Sequence, residues 1–143
     1  MLKYTDYNIS TLRPYINWIY FFFAWGLSGK PQEAKDKMRA EAEQMLDRLE
    51  KRYTTHAAFG LFDANSDGDD ILIGDVRMPM LRQQHPTRVG EPNLSLADFI
   101  RPLSSGVKDH IGVFATTVDL ALEHDFLADD YQRMLAQTLA DRL

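Results

Sequence analysis

A run of aromatic and aliphatic residues near the N-terminus constrains the fold of this chain more than any other feature. Seven of the sixteen Phe, Tyr and Trp residues fall between Tyr15 and Trp25. The apolar run ends at Leu27 after 13 residues, whereas a helix needs about 20 apolar residues to cross a bilayer. Asp6 lies where a secretory signal peptide carries basic residues, and no small-residue cleavage site follows. We therefore predict no membrane span, and a run of this length is typical of a helix buried in a protein core.

The ends of this predicted helix are marked by residues with defined backbone preferences. Pro14 suits the first turn of a helix, and Gly26 and Gly29 suit its end. Asn17 is then a single amide within an apolar helix, and it needs a hydrogen-bond partner if it is buried. From the residues alone we favour backbone groups as that partner, with a ligand as the alternative.

Composition narrows the class of protein further. A chain of 143 residues is the size of one domain. Sixteen Lys and Arg against twenty-one Asp and Glu leave a net charge of −5, which disfavours binding to nucleic acid. The chain has no cysteine, which excludes disulfides, thiolate nucleophiles and cysteine-held metals. This composition is typical of a protein of the reducing cytoplasm.

The remaining pattern predicts an α+β fold in which a small antiparallel sheet is flanked by helices. Met78–Pro102 contains four of the six prolines and is expected to be irregular, with a short turn of helix at Leu96–Phe99. The other elements are expected as helices over Pro31–Tyr53 and Asp129–Leu143 and as strands over Ala57–Phe62, Asp70–Ile73 and His110–Thr117.

The segment Asp63–Asp69 matches the first half of an EF-hand calcium loop. Such a loop also needs a bidentate Glu at its twelfth position, and that position is Gly74 here. A hairpin turn rich in Asp and Gly accounts for the same residues. We therefore favour the hairpin over a calcium site.

No other motif forms a complete catalytic centre. The four histidines His56, His85, His110 and His124 lie far apart and show no metal-ligand spacing, so they are expected to be scattered surface residues. Gly26–Lys30 lacks the spacing of a phosphate-binding loop. Whether the chain is an enzyme therefore stays open, and no catalytic or metal-ligating residue is assigned.

Several short segments, in collinear order over nearly the whole chain, match one family together. The opening segments are Leu12–Trp18, Phe21–Phe22 and Trp25–Lys30. The later segments are Met45–Leu49, Gly60–Asn65, Gly68–Ile71, Leu81–Gln84, Leu96–Ile100, Ile111–Ala115, Asp129–Tyr131 and Leu139–Leu143. In this combination the chain resembles the N-terminal part of the activation domain of cobalamin-dependent methionine synthase.

The resemblance implies a specific function. In that family the domain binds S-adenosylmethionine and sits over the cobalamin-binding module of a methyltransferase. It supplies the methyl group that rescues cob(II)alamin, with an electron from flavodoxin or a flavoprotein reductase. The expected cofactors are therefore S-adenosylmethionine on this domain and cobalamin on the partner module.

Two residues carry the implied site. Asn17 stands where the family usually has an Asp that holds the α-ammonium group of S-adenosylmethionine, so the resemblance implies a weakened contact there. Asp141 matches the family's Asp that meets a displaced histidine of the cobalamin module, with a solvated helix residue as the alternative. The family's Arg-x-x-x-Gly-Tyr segment has no counterpart, because Gly-Tyr does not occur in this chain.

The chain 1–143 is thus expected to be a single, apparently truncated activation-like domain. We expect it to belong to the reactivation system without being competent for methyl transfer alone. The alternative is a non-catalytic interaction or scaffold module derived from that domain. Apolar surface is expected to remain exposed on the sheet and on the closing helix, which predicts a partner or a homo-oligomer.

Overall fold

A computed structural model describes residues 2–143 of the chain. It has an α+β fold with a small antiparallel sheet and several helices, which confirms the predicted fold class. The helices are α1 (Ile9–Leu12), α2 (Trp18–Ala24), α3 (Gln32–Leu49), α4 (Ala121–Asp125) and α5 (Asp130–Ala140). The strands are β1 (Leu2–Asn8), β2 (Thr54–Asp67), β3 (Asp70–Ile73), β4 (Val76–Pro79) and β5 (Asp109–Val118).

The strands β2, β3 and β4 form a meander closed by two tight turns. The sheet order is β1-β2-β3-β4, and β5 also pairs with β2. Asp67 pairs with Asp70 in one antiparallel ladder, and Ile73 pairs with Val76 in the next. Each turn therefore has two residues, and its first residue is a glycine with positive φ, +60° at Gly68 and +57° at Gly74. Type II′ turns place glycine at this position because other residues are strained there.

The predicted hairpin is confirmed, with different bounds. Strand β3 matches its prediction residue for residue, and β5 extends its prediction by one residue at each end. Strand β2 is longer than predicted and continues to Asp67, so most of the predicted turn Asp63–Asp69 is strand. Polar side chains can occupy this strand because alternate positions face solvent.

The chain divides into two compact units, one of Phe59–Phe114 with the start of the chain and the other of Tyr4–Ala58 with Ala115–Leu143. The first unit has a small apolar core of Ala64, Ile71 and Ala97, joined by Ile73, Met80, Ile100 and Ile111. Polar contacts supplement this core. Ser66 Oγ donates to the carbonyl of Ile100 at 2.9 Å, and the Asn65 amide donates to the carbonyls of Arg101 and Val107.

The second unit contains the larger core, in which α3 packs against α5. The buried residues of α3 are spaced at three and four residues, as an amphipathic helix requires. The core consists of Ile9, Ile16, Phe21, Met38, Ala42, Met45, Leu46, Leu49, Tyr53, Leu122, Leu135, Ala136 and Leu139.

The aromatic run forms two short helices where one buried helix was predicted. A 3-10 turn at Arg13–Tyr15 ends where Ile16 and Asn17 take extended backbone angles, and α2 begins at Trp18. Of the residues in α2, Phe21 alone is buried. The prediction of a single helix from Pro14 to Gly26 is therefore wrong in its bounds and in its burial.

Helix α5 also ends earlier than predicted, at Ala140. Arg142 N–H donates to the carbonyl of Leu139 at 2.9 Å and Leu143 N–H to that of Ala140 at 3.3 Å. These bonds span three residues and tighten the end of the helix into a turn. Strands β1 and β4 and helices α1 and α4 were not predicted. Within residues 2–143, no helix has the length and apolar character that crossing a membrane requires.

Candidate functional site

Asn17 lies at the N-cap of α2 and is exposed. Its side-chain Oδ1 accepts a hydrogen bond from the backbone N–H of Ile19 at 3.2 Å, the arrangement by which asparagine satisfies the first turn of a helix. The favoured backbone partner is thus present. A carbonyl oxygen has two lone pairs, so Oδ1 can still accept a second donor.

Aromatic contacts fix the inner side of α2. The guanidinium of Arg39 lies 4.2 Å from the ring centre of Trp18, a cation–π distance. The rings of Trp25 and Tyr131 meet edge to face at 5.5 Å. Tyr131 donates to the carboxylate of Glu41, and this bond, together with burial, raises the pKa of Tyr131 to about 12.

The outer side of α2 is open. Ile19 is 75% exposed and Phe23 is 70% exposed, and Tyr15 and Tyr20 are exposed with them. The exposed residues of the aromatic run therefore combine apolar side chains with the hydrogen-bonding amide of Asn17.

Asp141 follows directly after α5 and is exposed. Its N–H donates to the carbonyl of Gln137 at 3.0 Å. The side chain lines a cleft of about 460 Å³ that also contains the polar residues Tyr7, Thr55, His56, Thr116, Thr117, Asp119, Glu123 and Gln137. Asn17 is not among the residues that line this cleft. Of the two predicted site residues, Asp141 therefore lines the cleft and Asn17 does not.

His56 and Asp119 form a hydrogen-bonded pair in the wall of the cleft, and the side chain of each makes one further hydrogen bond. His56 Nε2 lies 2.9 Å from Asp119 Oδ1, and His56 Nδ1 lies 2.8 Å from Asp6 Oδ1. Asp119 Oδ2 accepts the backbone N–H of Thr54 at 2.7 Å. These bonds tie β1 and β2 to the residue that follows β5.

The same contacts set the electrostatics of the cleft. The carboxylates of Asp119 and Asp6 raise the pKa of His56 above its usual value. The hydrogen bonds from His56 and from Thr54 N–H hold the pKa of Asp119 below its usual value. At neutral pH the cleft therefore presents carboxylates, which can accept hydrogen bonds from an N–H donor.

Sequence analysis missed His56 and Asp119 and treated His56 as one scattered surface histidine. Its two partners are 50 and 63 residues away along the chain. No local spacing signals such a contact, because only the pairing of strands brings the three residues together.

The acidic residues of the EF-hand-like segment have cationic partners within their own unit. Asp63 pairs with Lys108 at 2.9 Å, and Asp67 pairs with Arg77 at 2.7 Å. Gly74, at the twelfth position, is a turn residue. In the part of the chain that the structure describes, no three His, Asp or Glu side chains are grouped to hold a metal ion.

Comparison with known proteins identifies the family of the chain. The family model for the activation domain of vitamin B12-dependent methionine synthase matches residues 8–143. Among solved structures, the crystal structure of the MetH reactivation domain bound to AdoHcy matches with a TM-score of 0.83 and 37% sequence identity.

The match covers 99% of this chain and 51% of that solved chain, so the chain spans about half the length of the structure it matches. The resemblance inferred from short collinear segments is confirmed by both comparisons. The chain belongs to the family of activation domains of vitamin B12-dependent methionine synthase.

Proposed function

We propose that this member of the activation-domain family docks on the cobalamin-binding module of methionine synthase. There the domain would serve reductive reactivation, in which cob(II)alamin is methylated from S-adenosylmethionine. The observation that carries the proposal is the exposed Asp141 in an acidic cleft of a chain that belongs to this family. We further propose that this chain does not perform methyl transfer alone.

The cleft suits an imidazole donor from the partner module. The carboxylates of Asp141 and Glu123 both line it, and neither residue has an ion-pair partner among the described residues. A carboxylate that accepts an N–H bond from a histidine forms a charge-assisted hydrogen bond, stronger than one between neutral groups. Docking at Asp141 would thus hold the partner's displaced histidine at the surface of this domain.

Asn17 fits S-adenosylmethionine only in part. The solved relative is bound to AdoHcy, which supports S-adenosylmethionine as the family's ligand. Asn17 Oδ1 can accept one bond from the α-ammonium group, but the amide carries no charge, and Ile19 N–H already occupies one of its lone pairs. Replacing a charged acceptor by a neutral one costs about 1–2 kcal/mol.

The cofactors supply the chemistry of methyl transfer when they are bound. The residues of this chain would orient the partner module at Asp141 and offer an amide acceptor at Asn17. Positioning of this kind lowers the entropic barrier of a reaction between two bound groups. Flavodoxin or a flavoprotein reductase as the electron donor, and the cytoplasm as the location, remain predictions from the sequence.

A non-catalytic interaction module derived from the activation domain is the second candidate. The composition of the docking cleft supports it, because Asn17 is not among the residues that line the cleft. Docking could therefore persist without cofactor binding. The two candidates differ in whether S-adenosylmethionine binds.

Docking is tested by titrating this chain with a recombinant cobalamin-binding module of methionine synthase. Asp141→Asn should weaken binding about tenfold or more, because a charge-assisted bond contributes about 1.5–3 kcal/mol. Asp75→Asn is the matched control, since Asp75 is exposed and does not line the cleft. Equal binding by wild type and Asp141→Asn would refute docking at Asp141.

Cofactor binding is tested by calorimetry with S-adenosylmethionine. The isolated chain should show no micromolar binding, and binding should appear when a fragment carrying the Arg-x-x-x-Gly-Tyr segment is added. Asn17→Asp keeps an N-cap acceptor and should tighten that binding, whereas the control Asn8→Asp should not, since Asn8 makes no side-chain cap bond. Micromolar binding by the isolated chain would overturn the proposed lack of competence. Failure to bind with the fragment present would favour the interaction module.

A further inference from the structure

Each ring nitrogen of His56 faces a different carboxylate. Asp6 Oδ1 lies 2.8 Å from Nδ1 and Asp119 Oδ1 lies 2.9 Å from Nε2. An ionised carboxylate can only accept hydrogen bonds, and a neutral imidazole carries a single N–H. Both short contacts are satisfied together only when the ring is an imidazolium that donates to both carboxylates.

The two carboxylates belong to different segments of the chain. Asp6 lies in β1, His56 in β2, and Asp119 directly after β5. Asp119 is joined to β2 by two further bonds, since it accepts from Thr54 N–H at 2.7 Å and its own N–H donates to the Thr54 carbonyl at 3.1 Å. The protonated ring thus completes a network that links three segments through one side chain.

His56 and Asp119 line the same cleft as Asp141. The other acidic groups of this cleft are Glu123 from α4 and Asp141 after α5. The imidazolium offsets the charge of Asp119 and leaves the carboxylates of Glu123 and Asp141 as the acceptors open to a partner. Loss of the proton removes one donor bond and one positive charge, so the net charge of the cleft wall becomes more negative by one.

We propose that His56 is a positioning residue of the docking cleft, which it holds in one geometry and charge state while its ring is protonated. This role of His56 extends the proposed docking function, and its effect on partner binding depends on that function. The network is complete at pH values where Asp119 is ionised and His56 is protonated. It loosens as the pH rises through the midpoint of His56.

NMR titration of the histidine rings in the full chain tests the inference without any partner. The midpoint of His56 should lie above the ordinary histidine value of about 6.5, and Asp119→Asn should lower it. Asp63→Asn is the matched control, because Asp63 faces His110 instead. The Thr54 amide resonance should titrate with the midpoint of His56, and this titration should be lost in His56→Gln and retained in His85→Gln.

A His56 midpoint at or below the ordinary histidine value of about 6.5, or a Thr54 amide that does not follow it, would overturn the inference. If His56→Gln does not fold, the lowered midpoint of His56 expected in Asp119→Asn still tests the inference.

Docking gives a second measurement. The ratio of the dissociation constants of wild type and His56→Gln for the cobalamin-binding module should change as the pH passes through the His56 midpoint. Titration of groups on the partner module affects both chains equally and cancels in this ratio. A constant ratio would contradict the coupling of His56 to the cleft. Absence of docking by either chain, with the ring titration as expected, would instead count against the proposed function.

Discussion

Burial differs sharply between residues that are neighbours in the aromatic run. Phe21 is fully buried, whereas Phe23, two positions later on the same helix, is 70% exposed. Two residues correspond to about 200° around a helix, so these side chains point in nearly opposite directions. Phe21 also meets the rings of Trp18, Phe22 and Trp25 at centre distances between 5.3 and 6.3 Å. The run is therefore a half-buried element with aromatic residues on both its buried and its exposed side.

Phe21→Ala should lower the free energy of unfolding by about 3–5 kcal/mol, because it leaves a cavity and removes the aromatic contacts. Phe23→Ala is the matched control and should change it by about 0.5 kcal/mol or less, as exposed substitutions usually do. Urea denaturation followed by fluorescence measures both. Similar losses in the two variants would contradict the burial described for α2.

The β2–β3 turn is held to the second half of its unit by one arginine. Arg82 donates to Asp69 at 2.6 Å and to Asp98 at 2.7 Å, and it also donates to the carbonyl of Asn93 at 2.6 Å. Asp98 closes the capping box of the 3-10 turn that begins after Ser95. The irregular segment predicted from its prolines is therefore ordered through side-chain bonds to a hairpin turn.

Arg82→Gln should increase hydrogen exchange at the amides of the β2–β3 hairpin, whereas the control Arg88→Gln should not, because Arg88 makes one long pair, with Glu91 at 3.8 Å. The bond from Arg82 lowers the pKa of Asp98 to about 2. This group therefore stabilises the fold above the ordinary Asp value of about 3.9. The stabilisation is lost as the pH falls towards 2, and Arg82→Gln should reduce that acid dependence. Unchanged exchange would contradict the role of Arg82.

Apolar surface remains on the sheet and on the closing helix, as the sequence predicted. Phe59, Leu61, Val113 and Phe114 are exposed around a groove of about 440 Å³ in the first unit. Tyr131 and Met134 are about half exposed on α5. Contiguous exposed apolar patches of this kind commonly mark interaction surfaces.

The isolated chain should self-associate with increasing concentration, and Phe114→Gln should reduce this association, since Phe114 is 77% exposed in the patch. Val89→Gln is the matched control, because Val89 is fully exposed but lies outside the groove. Size-exclusion chromatography with light scattering measures both. A clean monomer at all concentrations down to low micromolar would contradict the homo-oligomer.

The sequence by itself determined the α+β class, the hairpin around Gly68, the position of β5 and the family. These features follow from local patterns, namely turn glycines, β-branched strands and short segments in a fixed order. The sequence also located Asn17 and Asp141, whose roles remain proposals.

The tertiary structure decided which faces are buried and which distant groups meet. It divided the aromatic run at Asn17, left half of α2 exposed, and placed Asp141 in a cleft with His56 and Asp119. The partners of His56 are separated from it by 50 residues or more. Contacts of this kind depend on strand pairing across the whole chain, and no local periodicity encodes them.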